Sequence, residues 1–205
     1  MKAVRFHEHG GVDVLRYEDV PEPKIGPTEV LVRVRACALN HLDLWLRRGL
    51  PGRSIPLPRI VGSDIAGEVA EVGSAVTRVK VGERVLISPG LSCGQCPACL
   101  NGRDNLCREY EVIGSYRSDG GYAEYVKVPE VNAVPIPDHI SFEEAAAFPL
   151  VFLTAWHMLV TRAGVRPGET VLVIAAGSGV GMAAIQIAKL FGARVLATAG
   201  TDAKL

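Results

Sequence analysis

Residues 170–199 confine the chain more tightly than any other segment. An apolar run, Thr170-Val171-Leu172-Val173-Ile174-Ala175, feeds a glycine-rich turn, a helical stretch from about Val180 to Phe191, and a second apolar run, Arg194 to Ala199. Two strands joined through a helix pair in parallel, because the crossover carries the chain back to the edge it left. Runs without polar alternation predict strands buried on both faces, and Gly192 supplies the C-terminal stop of the helix. The segment therefore reads as one βαβ unit of about thirty residues.

A strand, a glycine-rich turn and a helix leave backbone N–H groups and the positive end of the helix dipole aimed at one spot, where a pyrophosphate can sit. Gly177, Ser178, Gly179, Val180 and Gly181 are the predicted cofactor-binding residues, and the small Ala183 and Ala184 let the helix lie near the strand. The strict G-x-G-x-x-G is absent, since the frame reads Ala176-x-Ser178-x-x-Gly181, and a connection that only packs is the alternative. At the end of the second strand no acid stands at Ala199 to hold ribose hydroxyls, and Asp202 lies late for that role, whereas Thr201 and Lys204 can accept a phosphate. These residues favour NADP(H) over NAD(H).

The first 140 residues have another character. Short alternating segments (Val30 to Arg35, Ile65 to Val72, Arg84 to Ile87, Tyr122 to Val128) are separated by Gly and Pro turns, the pattern of a β-rich domain best closed as a partial barrel. The pattern changes at Ser141-Phe142-Glu143-Glu144, a capping box that starts a helix. Pro149 ends or kinks that helix, and Val151 to Thr161 reads as a second helical run.

Five cysteines, four of them between positions 93 and 107, do not make a secreted disulfide framework. Cys93, Cys96, Cys99 and Cys107 lie on a loop with Gly94, Pro97, Asn101 and Gly102, and four thiolates on a short loop can close a tetrahedron around Zn²⁺. Such a site has no open position and is structural; a thiol–disulfide pair or an iron–sulfur cluster are the rival readings. Cys37 reads as a buried small hydrophobe.

The 205 residues balance 22 Lys+Arg against 22 Asp+Glu. That balance argues against nucleic acid or an anionic membrane as partner. The start, MKAVRFHEHG, has no apolar signal segment, so a cytoplasmic location is expected. The longest apolar stretch, Ala145 to Val160, is interrupted by Pro149, Thr154 and His157 and falls short of the roughly 20 residues that span a bilayer. It reads as a buried helix.

Across its whole length the chain resembles the medium-chain dehydrogenase/reductase superfamily of zinc alcohol dehydrogenases and quinone oxidoreductases. The resemblance rests on Gly62-x-Asp64-x-x-Gly67-x5-Gly73-x-x-Val76, the four-cysteine lobe, Phe152-Leu153-Thr154-Ala155-Trp156, and the phosphate turn before Ile185-Gln186-Ile187-Ala188-Lys189. It implies a GroES-like β domain over 1–145, the start of an α/β Rossmann domain over 146–205, an active site between such domains, and Thr154 beside the nicotinamide. Where the zinc enzymes carry catalytic ligands, this chain has Asn40, Ser63 and Leu150. The segment Ala38-Leu39-Asn40-His41-Leu42-Asp43 is similar to the zinc-free quinone oxidoreductase branch, which reduces quinones or carbonyl-conjugated alkenes with NADPH.

On that resemblance Asn40 and Ser63 are candidates to hydrogen-bond a substrate carbonyl, His41 is a proton relay or pyrophosphate contact, and Asp43 anchors the segment. Trp45 is a pocket wall or core. Asp64 with His41 and His157 would be a rebuilt metal site for the alternative alcohol or aldehyde chemistry. A non-catalytic binding role is the further alternative. The family's usual length predicts that this chain is a fragment of a longer protein, and a homodimer is the family's common assembly.

Overall fold

The computed structural model describes residues 1–201 and Lys204; Asp202, considered above for the ribose, lies outside the described residues. Two compact units form, Met1–Ala147 and Phe148–Leu205.

In the first unit, β1 (Lys2–Phe6) and β2 (Leu15–Asp19) pair antiparallel. Then come β3 (Glu29–Ala38), α1 (His41–Arg48), β4 (Asp64–Val72), β5 (Arg84–Ile87), β6 (Gly90–Leu91), α2 (Pro97–Leu100), β7 (Glu111–Val112), β8 (Tyr125–Pro129), β9 (Ala133–Pro135) and α3 (Phe142–Ala146). The main sheet runs β8-β3-β4-β5-β9, antiparallel throughout. Its inward residues (Val30 and Val32 of β3, Ile65 and Val69 of β4, Val85 and Ile87 of β5, Val126 and Val128 of β8) form one core with Ile113. Each such side chain stabilises the fold by about 1.5–3 kcal/mol on leaving water. The ladder ends at β8 and β9, and β1 joins the rest through single bridges, Ala3 to Ala123 and Phe6 to Arg59. The barrel is therefore only partly closed.

The glycines of the 62–73 motif are positions of close approach. A Cβ on Gly67 would lie 2.1 Å from the Arg33 carbonyl oxygen, beside an irregularity in the β3–β4 register. Gly62 has φ +103°, and a Cβ there would meet the Tyr122 ring at 2.6 Å.

The helix at Ser141 forms as its capping box requires: Ser141 Oγ accepts the Glu144 N–H at 3.1 Å and Glu144 accepts the Ser141 N–H at 2.9 Å. Its Ala145 and Ala146 bury against Ala66 and Ile136.

In the second unit, Pro149 opens a new helix at its first turn, where the missing N–H costs nothing. Helix α4 (Pro149–Trp156) passes into a π-helical turn, His157–Arg162, and is followed by β10 (Thr170–Val173), α5 (Gly179–Leu190) and β11 (Arg194–Ala197). The two strands pair in parallel, Thr170 against Arg194 and Val173 against Ala197.

Two burial expectations are corrected here. The strands are covered on one face only: Val171, Val173 and Val195 pack with Ala155 of α4 and Ala183, Ala184 and Ile187 of α5, while Leu172, Ile174 and Leu196 are exposed. The 145–160 stretch is not a buried helix either, because Phe148, Leu153, Trp156 and Met158 face solvent. Both helices serve the same side of a two-stranded sheet, and among the described residues of this unit nothing covers the rest. No helix among the described residues is long and apolar enough to cross a membrane.

Candidate functional site

Asn40 caps α1 at the end of β3, and the motif residues Gly62, Ser63 and Asp64 lead into β4, which pairs with β3 up to Ala38 opposite Asp64. This register brings Asn40, Asp43 and Asp64 of the predicted polar residues together. The Asn40 side-chain amide donates to Asp64 Oδ2 at 2.9 Å. Asp43, one turn into α1 and only 5% exposed, accepts three donors: the Asn40 N–H at 2.8 Å, the Gly62 N–H at 3.1 Å and the Tyr122 hydroxyl at 2.9 Å. The first is the reach-back bond of a capping box. Burial still leaves the Asp43 carboxyl above the ordinary carboxylate range, the three donors offsetting part of the shift, and burial raises the Tyr122 hydroxyl as well.

Ser63 faces elsewhere. Its buried hydroxyl donates to the Ile113 carbonyl at 2.8 Å, so its proton is committed to the backbone. His41 is exposed at the start of α1 with its ring 6.1 Å from that of Trp45, itself 53% exposed and so not core. Cys37 is half-buried against the barrel core, where burial pushes its thiol up to about 12.

The lobe between β6 and β7 gathers the other cysteines. Pairing of Gly90 with Val112 and Leu91 with Glu111 brings the two ends of the loop together, and Gly94 and Gly102 turn it with φ +70° and +68°. The sulfurs of Cys93, Cys96, Cys99 and Cys107 all lie within 4.8 Å of one another, the only such group of His, Cys, Asp or Glu among the described residues. Three contacts measure 3.5 Å (Cys93–Cys107), 3.5 Å (Cys96–Cys99) and 3.9 Å (Cys93–Cys99). A tetrahedron with ~2.3 Å Zn–S bonds has S–S edges of about 3.8 Å, so the donor set fits zinc. The backbone N–H groups of Gln95 and Cys96 pull the Cys93 thiol down to about 6, while desolvation and the Cys96 sulfur push Cys99 up to about 11.

In the second unit the phosphate turn is tightly built. Ser178 caps α5, its Oγ accepting the Gly181 N–H at 3.1 Å, while Ala175 turns the chain at φ +57°. A Cβ on Gly181 would lie 2.6 Å from the Ala175 carbonyl oxygen, so only glycine lets α5 approach the strand. At Gly177 the same atom would find Lys204 side-chain carbons no nearer than 3.8 Å, which leaves the turn open with the Lys204 side chain beside it. The N–H groups of Gly179 and Val180 belong to the first turn of α5 and have no partner within the helix. An open turn, a helix start and a neighbouring lysine fit a dinucleotide pyrophosphate. Thr154 is exposed on α4, and the Thr201 carbonyl accepts the Lys204 N–H at 3.0 Å.

Tyr122, whose hydroxyl donates to Asp43, is the member of this hydrogen-bonded cluster that the sequence reading misses. Its position directly after Gly120-Gly121 was a usable signal, since a Cβ on Gly120 would collide with the Val61–Gly62 backbone at 2.4–2.6 Å.

Comparison with known proteins adds five findings. Residues 26–138 match the alcohol dehydrogenase GroES-like domain family. An alcohol dehydrogenase of Geobacillus stearothermophilus is 42% identical over 193 residues, 93% of this chain and 56% of that protein. The human quinone oxidoreductase is 35% identical over 205 residues, 98% of this chain and 54% of that one. Among solved structures, an NAD-dependent alcohol dehydrogenase superposes with TM-score 0.97 at 56% identity, covering 100% of this chain and 60% of the other. A cobalt- and zinc-bound thermostable alcohol dehydrogenase from Pyrobaculum aerophilum gives TM-score 0.90 at 39% identity, covering 99% and 60%. The chain thus spans about half to three-fifths of the length of these relatives.

Proposed function

Because the chain belongs to the medium-chain dehydrogenase/reductase superfamily through its alcohol dehydrogenase GroES-like domain, we propose that it serves an oxidoreductase that reduces a quinone or carbonyl-conjugated alkene without a catalytic zinc of the usual kind. The observation that carries this reading is the bonding of Asn40 and Ser63, which stand where the zinc enzymes carry ligands. The Asn40 amide is held by Asp64 and the Ser63 hydroxyl by Ile113. Neither supplies the thiolate or imidazole that a catalytic zinc prefers.

A nicotinamide dinucleotide at the 177–181 turn would supply the hydride. The chain's own part is to hold and polarise. The turn and the start of α5 fix the pyrophosphate, and Lys204 with Thr201 favours a 2′-phosphate over a bare ribose. Asn40 and His41 are the donors toward an oxygen that gains charge as hydride arrives, where fixed dipoles act without reorganisation. Asp43 is a positioning residue: its bonds to Asn40, Gly62 and Tyr122 hold the segment that presents those donors. In the four-cysteine lobe the resident metal is zinc, and its work there is to order the loop.

Alcohol or aldehyde oxidoreduction is the second reading, favoured by the relative at 56% identity whose name gives it as an NAD-dependent alcohol dehydrogenase. Oxidation of NADPH and NADH by the full-length protein, across quinones, enones and aldehydes, separates the two. Turnover of quinones or enones with NADPH supports the first reading, and turnover of aldehydes alone replaces it with the second.

A further inference from the structure

Within the mutually close group of four lobe sulfurs, the two shortest contacts together use every thiol. Four thiols allow three sets of two disulfides, and the two 3.5 Å contacts, Cys93–Cys107 and Cys96–Cys99, share no sulfur and use all four. The 3.9 Å contact, Cys93–Cys99, would leave Cys96 and Cys107 as its complement. The closer pairs also have separate supports. Cys93 and Cys107 stand 14 positions apart yet flank the β6–β7 ladder, and the Cys93 N–H points at Cys107 Sγ at 3.5 Å. Cys96 and Cys99 belong to α2, as its cap and its third residue.

We propose that the lobe is a thiol oxidation site, in which Cys93–Cys107 and Cys96–Cys99 disulfides replace zinc as its cross-link. The co-reactant is a peroxide. One thiolate attacks the O–O bond, becoming a sulfenic acid as hydroxide leaves, and its partner sulfur then displaces the second hydroxide to close the S–S bond. Each sulfur gives up one electron, and solvent supplies two protons to make two waters. A second peroxide closes the second pair. Zinc leaves because a disulfide sulfur is no longer a thiolate ligand.

The fifth cysteine is an internal control. Cys37 packs against the barrel core with no sulfur partner given by its surroundings, and burial keeps its thiol protonated. Peroxide selects thiolates, so Cys37 stays reduced while the lobe reacts.

The inference rests in part on the reading of zinc in the lobe, and the test separates the two. Zinc-loaded protein is titrated with hydrogen peroxide while a chromogenic chelator follows free zinc, and non-reducing peptide mapping identifies the linkages. The expected result is release of the bound zinc by two equivalents of peroxide, with Cys93–Cys107 and Cys96–Cys99 peptides, Cys37 still open to alkylation after denaturation, and recovery with thiol and zinc. The double variant Cys96→Ser, Cys99→Ser, oxidised without metal, should still form Cys93–Cys107. A dominant Cys93–Cys99 or Cys93–Cys96 linkage, preferential oxidation of Cys37, or zinc release accompanied only by sulfinic acid would overturn the proposal. The expected disulfides in protein that never bound zinc would uphold the oxidation site and refute the zinc reading alone.

Discussion

The Asn40 side-chain amide donates to Asp64, a carboxylate only 2% exposed, across 2.9 Å and 24 positions of sequence. The bond ties the start of α1 to the start of β4, and it supplies one donor to a buried carboxyl group, a group that is costly to bury without hydrogen bonds. Replacing Asn40 by Ala should destabilise the fold by about 1–3 kcal/mol, because a buried acceptor loses one hydrogen bond. Asn40→Asp should cost more, since it sets a second carboxylate against the first. Urea midpoints of the two variants check the order, and equal midpoints would show that the bond carries no weight.

The turn before α5 separates packing from binding. Gly181→Ala places a methyl 2.6 Å from the Ala175 carbonyl oxygen, and the shift needed to relieve it should cost about 1–3 kcal/mol. Gly177→Ala meets nothing nearer than 3.8 Å. It should fold normally and yet weaken dinucleotide binding in the full-length protein, because the methyl occupies space that a pyrophosphate needs. Calorimetric titration together with a melting curve reads both effects; unchanged NADPH affinity in Gly177→Ala would remove the turn from the cofactor site.

Metal content has a simple expectation: one zinc per chain by elemental analysis, removed by Cys107→Ser. Zinc must displace protons from thiols that sit on either side of neutrality, Cys93 near 6 and Cys99 near 11. Affinity measured by chelator competition should therefore rise with pH, with proton release on binding. A second tightly held zinc, lost on mutating His41 or Asp64, would make the alcohol dehydrogenase reading the leading one.

Glu130 pins the 77–78 loop to the β8–β9 turn by accepting the N–H groups of Thr77 and Arg78 at 2.8 and 2.9 Å. These bonds hold its carboxyl below the ordinary glutamate value. A depressed folded pKa means that the contribution is fully present above the unfolded value, about 4.3, and is lost as pH falls through the folded one. Glu130→Gln should therefore lower the urea midpoint at pH 7 and leave it nearly unchanged near pH 2. A variant whose deficit persists undiminished in acid would contradict the assignment.

The elements that could be read from the sequence are those whose cause lies within a few residues. The Ser141 capping box needs only Glu144 three positions on, the cysteine spacing brings its own loop glycines, and the strand, turn, helix and strand of 170–197 follow from apolar runs and small residues in order. Strand ends moved by a few residues, because ladders stop where partners stop: β10 ends at Val173 and β11 at Ala197, short of the apolar runs that suggested them. Packing decided the rest. Tyr122 reaches Asp43 from 79 positions away and Ser63 spends its proton on Ile113 from 50, partners that no local pattern names. Hydrophobicity likewise marked 145–160 as apolar without saying which face finds cover. A residue's type and near neighbours fix its backbone preference and the chemistry it can offer, but the atom that receives a buried hydrogen bond is chosen by the register of distant strands.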